Sequence, residues 1–300
     1  MKKKGVSYYF AHGLMHFVFI CFCIIILIPF LLVVSISFSK EADIHTLGYQ
    51  LIPAHFATTA YEFVLKTPQV ILSAYKNSAF ITVVGGVIGL LFTSMIGYVI
   101  SRKDYRYRGV LTFYVFFTML FSGGMVSFFI IMTQTLHLND NLLAIILPGL
   151  VSAYYVILMR GFMTDIPLEI IESGKIDGAS EVSIFFQIVL PLSKPALATL
   201  GLFIAFNYWN QWFNPMLFID SDSKVPIQLL LVRMLNNIEM ITTNPDAMAA
   251  MQSIGVNLSD MPSLTIRMAN AVLAVAPMLI VFPFFQKYFV RGLTMGAVKG

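Results

Sequence analysis

Few side chains in this sequence have the type and spacing to do chemistry. Five histidines, His12, His16, His45, His55 and His137, are scattered, with no pair at metal-ligand spacing. Cys21 and Cys23 lie inside an apolar run, where no disulfide framework is expected. Asp246, Asp260 and the methionines between them match no calcium loop. No Ser–His pair or paired aspartate falls within an apolar run, so intramembrane hydrolysis is not expected. There is no G-x-x-x-x-G-K-[ST] loop, so any ATP must be bound by another polypeptide. Two clusters remain. One is the run Asn207-Tyr208-Trp209-Asn210-Gln211-Trp212-Phe213-Asn214, whose amides can pair with hydroxyls while its ring faces cover the C–H faces of a sugar. The other is Glu172, Asp177 and Gly178, followed by the apolar Ile188-Val189-Leu190-Pro191. A carboxylate, a glycine break and an apolar stripe suit docking rather than catalysis.

The elements that carry these clusters follow from composition. Of 300 residues, 58% are hydrophobic and 11% charged, against about 25% charged in an average soluble chain. That excludes an ordinary soluble enzyme or a nucleic-acid reader and points to an all-α integral membrane protein surrounded by lipid. A bilayer core needs roughly 20 helical residues. Runs free of central charge predict six crossings, at about 14–38, 77–101, 109–132, 141–160, 195–219 and 267–287. The first follows a short basic start, but it is too long for a signal-peptide core and is expected to be retained, kinked at Pro29. With the N-terminus inside, thirteen of the 19 Lys and Arg residues fall on the inner side, which predicts both termini in the cytoplasm. External loops are then 39–76 and 220–266, the latter with helical periodicity over Ile227–Met240, and the whole of 1–300 reads as one membrane domain.

Packing and mechanism both leave traces. Gly85, Gly89, Thr93 and Gly97 recur every fourth residue, a small-residue ridge that lets another helix of the same bundle approach closely. No acidic or basic residue sits centrally in any crossing, which weighs against an ion-coupled carrier. Counting from Pro195 at about 1.5 Å per residue, Trp209 lies roughly 21 Å into the fifth crossing. There Tyr208, Trp209, Asn210 and Trp212 either line a pathway or form an outer aromatic belt.

The inner segment 161–194 reads as two short helices. Pro167 suits a first turn, Glu169 and Glu172 favour a helix start, Gly178 breaks the first helix and Ser180 caps the second near Glu181. Val182, Phe185, Phe186 and Val189 are expected largely on one face. Glu172, Gly178 six residues on, and Ile188-Val189-Leu190-Pro191 resemble the E-A-A-x-x-x-G…I-x-L-P pattern of bacterial ABC importer permeases, as does Asp177-Gly178-Ala179-Ser180. Ser173-Gly174 stands where the pattern has two alanines, so Gly174 is expected to loosen the first helix by about 1 kcal/mol. Phe121-Ser122-Gly123-Gly124, Ile157-Leu158-Met159-Arg160, Ile166-Pro167 and the ending from Tyr288 to Gly300 are similar to carbohydrate-importer permeases, on the side of the smaller maltose permease and closest to the complex-oligosaccharide subgroup.

That resemblance implies a six-helix permease bundle that does no chemistry itself. It implies a homologous second permease as heterodimer partner, an ABC ATPase dimer holding ATP and magnesium, an extracytoplasmic sugar-binding protein, and an oligosaccharide cargo. In the family the 167–191 loop couples to the ATPase. By carry-over Glu172 would meet a basic group there and Gly178 would allow the tight turn, with Asp177 and Ala179 among the coupling residues, while Ile188, Leu190 and Pro191 would hold the loop against the bundle. The competing readings are a self-contained six-helix carrier or channel, and an ABC permease for another polar solute.

Overall fold

The computed structural model describes residues 6–245 and 263–297. The Asp246–Asp260 segment and the last three residues of the terminal motif lie outside them. The described residues contain no β-strand, only an isolated bridge between Ser39 and Phe56. The chain comprises two compact units, residues 1–68 with 233–276 and residues 69–232 with 277–300.

In the first unit, α1 (Val6–Ser37) leads into two short helices, α2 (Glu41–Leu47) and α3 (Thr59–Val64). Pro29 lies inside α1, whose apolar residues are exposed along most of its length, as a lipid-facing crossing requires. The most consequential side chain here is Glu41, a carboxylate only 5% exposed. It accepts hydrogen bonds from Leu264 N (2.9 Å), Thr265 N (3.0 Å) and Thr265 Oγ1 (2.8 Å). These are orphan donors in the first turn of α15 (Ser263–Ala297), and an anion is favoured at a helix start. Glu41 thus caps a helix more than two hundred residues away.

The second unit is built around α4 (Pro68–Ser101). Its small residues meet neighbours so closely that a methyl group would not fit. A Cβ on Gly85 would lie 2.5 Å from the Tyr208 ring, one on Gly89 3.1 Å from Leu150 O, and one on Gly97 2.8 Å from Met159 Cγ. The ridge is an intramolecular packing surface. Arg108 Nε donates to Ile100 O at 3.0 Å and closes the end of α4.

The expected third crossing is broken. α5 (Arg108–Leu120) and α6 (Gly124–Ile130) meet at 109°, because Phe121-Ser122-Gly123 is non-helical and Gly124 takes φ +81°, a conformation glycine accepts at little cost. α6 ends in a single π turn, Ile131–Thr135. α7 (Leu143–Gly149) and α8 (Ala153–Thr164) are bent by 46° at a short break just after Pro148. α12 (Lys194–Trp209) also ends earlier than the predicted 219, and α13 (Phe213–Phe218) restarts beyond Asn210–Trp212. Pro215 cannot donate to the carbonyl four residues back, so it is accommodated in the first turn of a new helix. Among the described residues, three helices, containing His12–Ser37, Pro68–Ser101 and Ser263–Phe284, are long and apolar enough to cross a bilayer singly, and three bent helix pairs could each make one further span.

A clasp fixes the far end of this unit. Asp140, at φ 48°, accepts from Ser221 N (2.9 Å), Ser221 Oγ (2.6 Å) and Lys224 Nζ (2.7 Å). The Lys224 ammonium and the Ser221 hydroxyl hold its carboxyl well below the usual carboxylate range. Asn77 donates to Ser223 O and Val225 O, and Ile227 N donates to Ser78 Oγ. The predicted helix over Ile227–Met240 follows as α14 (Ile227–Thr243).

Candidate functional site

The 161–194 segment forms α9 (Leu168–Ile176) and α10 (Glu181–Ile184), then a π turn over Phe185–Val189, then the one-turn α11 (Leu190–Leu192). Pro167 is the N-cap of α9 rather than its first helical residue. Between α9 and α10, Gly178 takes φ +80°, a region that costs other L-residues roughly 1–2 kcal/mol. Ser180 Oγ accepts from Ser183 N at 3.2 Å and caps α10.

The predicted one-sided stripe is divided. Ile184, Phe185 and Val189 are buried, whereas Val182 is 66% exposed and Phe186 48%. The π turn holds one residue more than an α turn, which rotates the face that follows it. Behind the segment, Ile171, Ile184, Phe185 and Val189 share a core with Tyr98, Met159, Met163, Ala196 and Leu200, against which Ala179, Ile188 and Leu190 also pack. Pro191 does not join them. It is exposed, and Val189 and Leu190 hold this end instead. Gly174 lies close against a neighbour, since a Cβ there would lie 3.0 Å from Ile188 Cδ1.

The outward side of the turn carries Glu172, Asp177 and Gly178, all exposed, with Ile176 at 86% exposure. Ile176 stands bare beside these two carboxylates, a knob on a segment anchored by a closed core. Sequence reasoning passed over Ile176 because nothing local distinguishes it from a core isoleucine.

Beside the knob lies a charge network. Arg102, only 7% exposed, is paired bidentately with Asp104 and donates through Nη1 to Tyr98 Oη (2.7 Å) and Glu181 Oε2 (3.4 Å). Lys175 Nζ lies 2.8 Å from Glu181 Oε1 and 3.4 Å from Asp104 Oδ2. The Arg102 guanidinium holds the Asp104 carboxyl far below its ordinary range, and Lys175 lowers that of Glu181. In return Asp104 raises Arg102, and Glu181 raises Lys175.

The aromatic–amide run is divided by the helix surface. Tyr208 and Trp209 are 3% and 5% exposed. The Tyr208 hydroxyl donates to Ile146 O at 2.7 Å, and the Trp209 ring stacks on Tyr75 at 6.2 Å beside an apolar cavity of about 680 Å³. The opposite side is polar. Asn207, Gln211 and Asn214 line a cavity of about 490 Å³ with Thr118, Ser152, Tyr154 and Tyr155, none of them charged. Asn210 and Trp212 border an adjoining hollow that shares Tyr155, Asn207 and Gln211. Gln211 Oε1 is buried there without a hydrogen-bond partner. The structure thus groups Asn210 and Trp212 with Asn207 and Gln211, and places Tyr208 and Trp209 in the packing. The amides stood in the sequence, but the break between α12 and α13, which brings Gln211 and Asn214 beside Asn207, had no local signal.

With this geometry in view, residues 85–295 match the family model of the binding-protein-dependent transport system inner membrane component. The chain belongs to that family. It is therefore a permease of an ABC importer in a bacterial inner membrane, a transport subunit rather than an enzyme, and the self-contained carrier or channel falls away. Among the relatives of this permease is the polygalacturonan/rhamnogalacturonan transport system permease protein YtcP of Bacillus subtilis (strain 168), 38% identical over 93% of this chain and 94% of that one. Protein LplC of the same organism is 37% identical over 92% and 90%. The arabinooligosaccharides transport system permease protein AraQ, also from B. subtilis, is 30% identical over 90% and 89%. The permease also superposes, with a TM-score of 0.77 and 30% identity, on a chain of a bacterial ABC transporter involved in the import of the acidic polysaccharide alginate, covering 96% of this chain and all of the other.

Proposed function

We propose that this permease forms half of the translocation pathway of an ATP-driven oligosaccharide importer, paired with a homologous second permease. It crosses the membrane six times with both termini inside. An ATPase dimer seats the 167–191 segment, and an extracytoplasmic sugar-binding protein delivers the cargo. ATP and magnesium sit on the ATPase, whose closure pushes the segment and rocks the helices. The observation that carries this reading is the exposed Glu172–Gly178 knob, with its bare Ile176, fastened to a buried core. Glu172 and Asp177 meet basic groups of the ATPase there, and Gly178 and Ala179 make the tight turn.

The cargo class rests on the relatives named for pectic and arabinan sugars and on the uncharged amide and tyrosine lining of the cavity. Such a lining engages hydroxyls. This half of the pathway therefore grips the parts common to acidic and neutral sugars alike, by hydrogen bonds that would be left unmade with a less hydroxylated solute.

The test is transport by the complete complex in proteoliposomes, with galacturonate oligomers and arabino-oligosaccharides as probes. Glu172→Lys and Gly178→Val are expected to lower sugar moved per ATP hydrolysed by about tenfold, the scale set by forcing a β-branched residue to positive φ. Basal hydrolysis should persist. Wild-type coupling in both variants overturns the assignment of this loop.

A further inference from the structure

Lys175 and Glu181 stand three residues on either side of Gly178, and both are tied to the same place. Glu181 reaches Arg102 and Tyr98 at the end of α4, and Lys175 reaches Asp104, which is itself paired with Arg102. We propose that Arg102 latches both flanks of the Gly178 turn to α4, so that displacement of the turn moves α4 directly and not only through its covalent continuation into α12. This inference rests on the reading of 167–191 as the coupling segment.

The asymmetry of burial supports it. Arg102 is 7% exposed, while Asp104, Lys175 and Glu181 are 41–55% exposed. A buried guanidinium that lost its partners would be stranded without solvent, so the α4 end of the latch is fixed. Isolated surface pairs transmit little, but here one buried arginine reaches the Glu181 flank directly and the Lys175 flank through Asp104, to which it is paired bidentately. The recipient is suited to pass the motion on. α4 touches Tyr208 at Gly85, and Tyr208 is also within van der Waals reach of Gly149, which lines the polar cavity. Contiguity of this kind becomes coupling only when a variant breaks it.

The test uses the assembled importer and needs no knowledge of the sugar. In a Cys21→Ser/Cys23→Ser background, Asn207→Cys serves as reporter, and its labelling by a fluorescent maleimide is timed with and without ATP plus vanadate. The intact latch should give about a tenfold nucleotide-dependent change in labelling rate. Arg102→Ala should abolish that change while ATP hydrolysis stays within about twofold. The decisive variant is the exchange Lys175→Glu with Glu181→Lys. It keeps the mutual pair between 175 and 181 but sets like charges against Asp104 and Arg102, so it too should lose the response. If Arg102→Ala does not assemble, Glu181→Gln supplies a milder break, because it removes the charge and keeps a partner for Tyr98. A response of wild-type size in the exchange variant overturns the latch. Gly178→Val is run alongside. If it loses the response while the exchange keeps it, the latch alone fails; if both keep it, the coupling reading fails as well.

Discussion

Gln211 shows how a single side chain can be readied for a ligand. Its Oε1 is buried with no donor, beside a cavity whose other polar groups are hydroxyls and amides. An unmade hydrogen bond of this sort costs about 1–3 kcal/mol, recovered when a donor arrives. Asn207→Ala and Gln211→Ala should therefore raise the half-saturating sugar concentration by roughly tenfold, in line with one lost hydrogen bond, without changing the melting temperature of the complex. Trp209→Ala should do the reverse. Its ring fills a packed position against Tyr75, and its removal should cost about 3–5 kcal/mol of stability. Uptake at varied sugar concentration and thermal unfolding of the same preparations separate the two. Equal effects on affinity from all three would return Trp209 to the pathway.

At the scale of elements, α4, α7 and α12 approach one another closely. Gly85 and Gly149 both lie against the Tyr208 ring, near enough that an added Cβ would fall at 2.5 Å and 2.8 Å. Gly85→Ala should destabilise the protein by about 1–3 kcal/mol through overpacking, measured as a lower melting temperature in detergent, and Tyr208→Leu in the same chain should restore part of the loss. Much of this layer was legible in the sequence. The four-residue spacing of Gly85, Gly89, Thr93 and Gly97 announced a close helix approach, and Ser180 and Gly178 marked the second short helix and the turn before it. The π turn at Phe185–Val189 was not legible, because Phe-Phe-Gln-Ile-Val is as compatible with an ordinary helix. Nor was the Arg102–Glu181 contact. Seventy-nine residues separate the two, and no local periodicity records which charge at the end of one crossing meets which carboxylate of a distant loop. The break at Gly123-Gly124 had a signal in the paired glycines, but the strong hydropathy around it outweighed them.

For the whole molecule, the governing fact is that family membership implies further subunits, while the knob presents a bare isoleucine. Purification of the tagged chain from native membranes in mild detergent should therefore recover a homologous permease and a P-loop ATPase, identified by mass spectrometry. A stable homo-oligomer without ATPase, after controls for detergent dissociation, would contradict the assembly proposed here.

The cap on α15 also carries a meaning for biosynthesis. Glu41 leaves the ribosome early, and its donors at Ser263–Thr265 leave more than two hundred residues later. In the interval the carboxylate lacks the partners that make its burial tolerable, so the loop after the first crossing stays unsettled until the last crossing has begun. A chain cut short before Ser263 lacks every one of these donors, and its Glu41 keeps only His45 beside it. One glutamate thereby makes the settling of the segment after α1 wait on the start of α15.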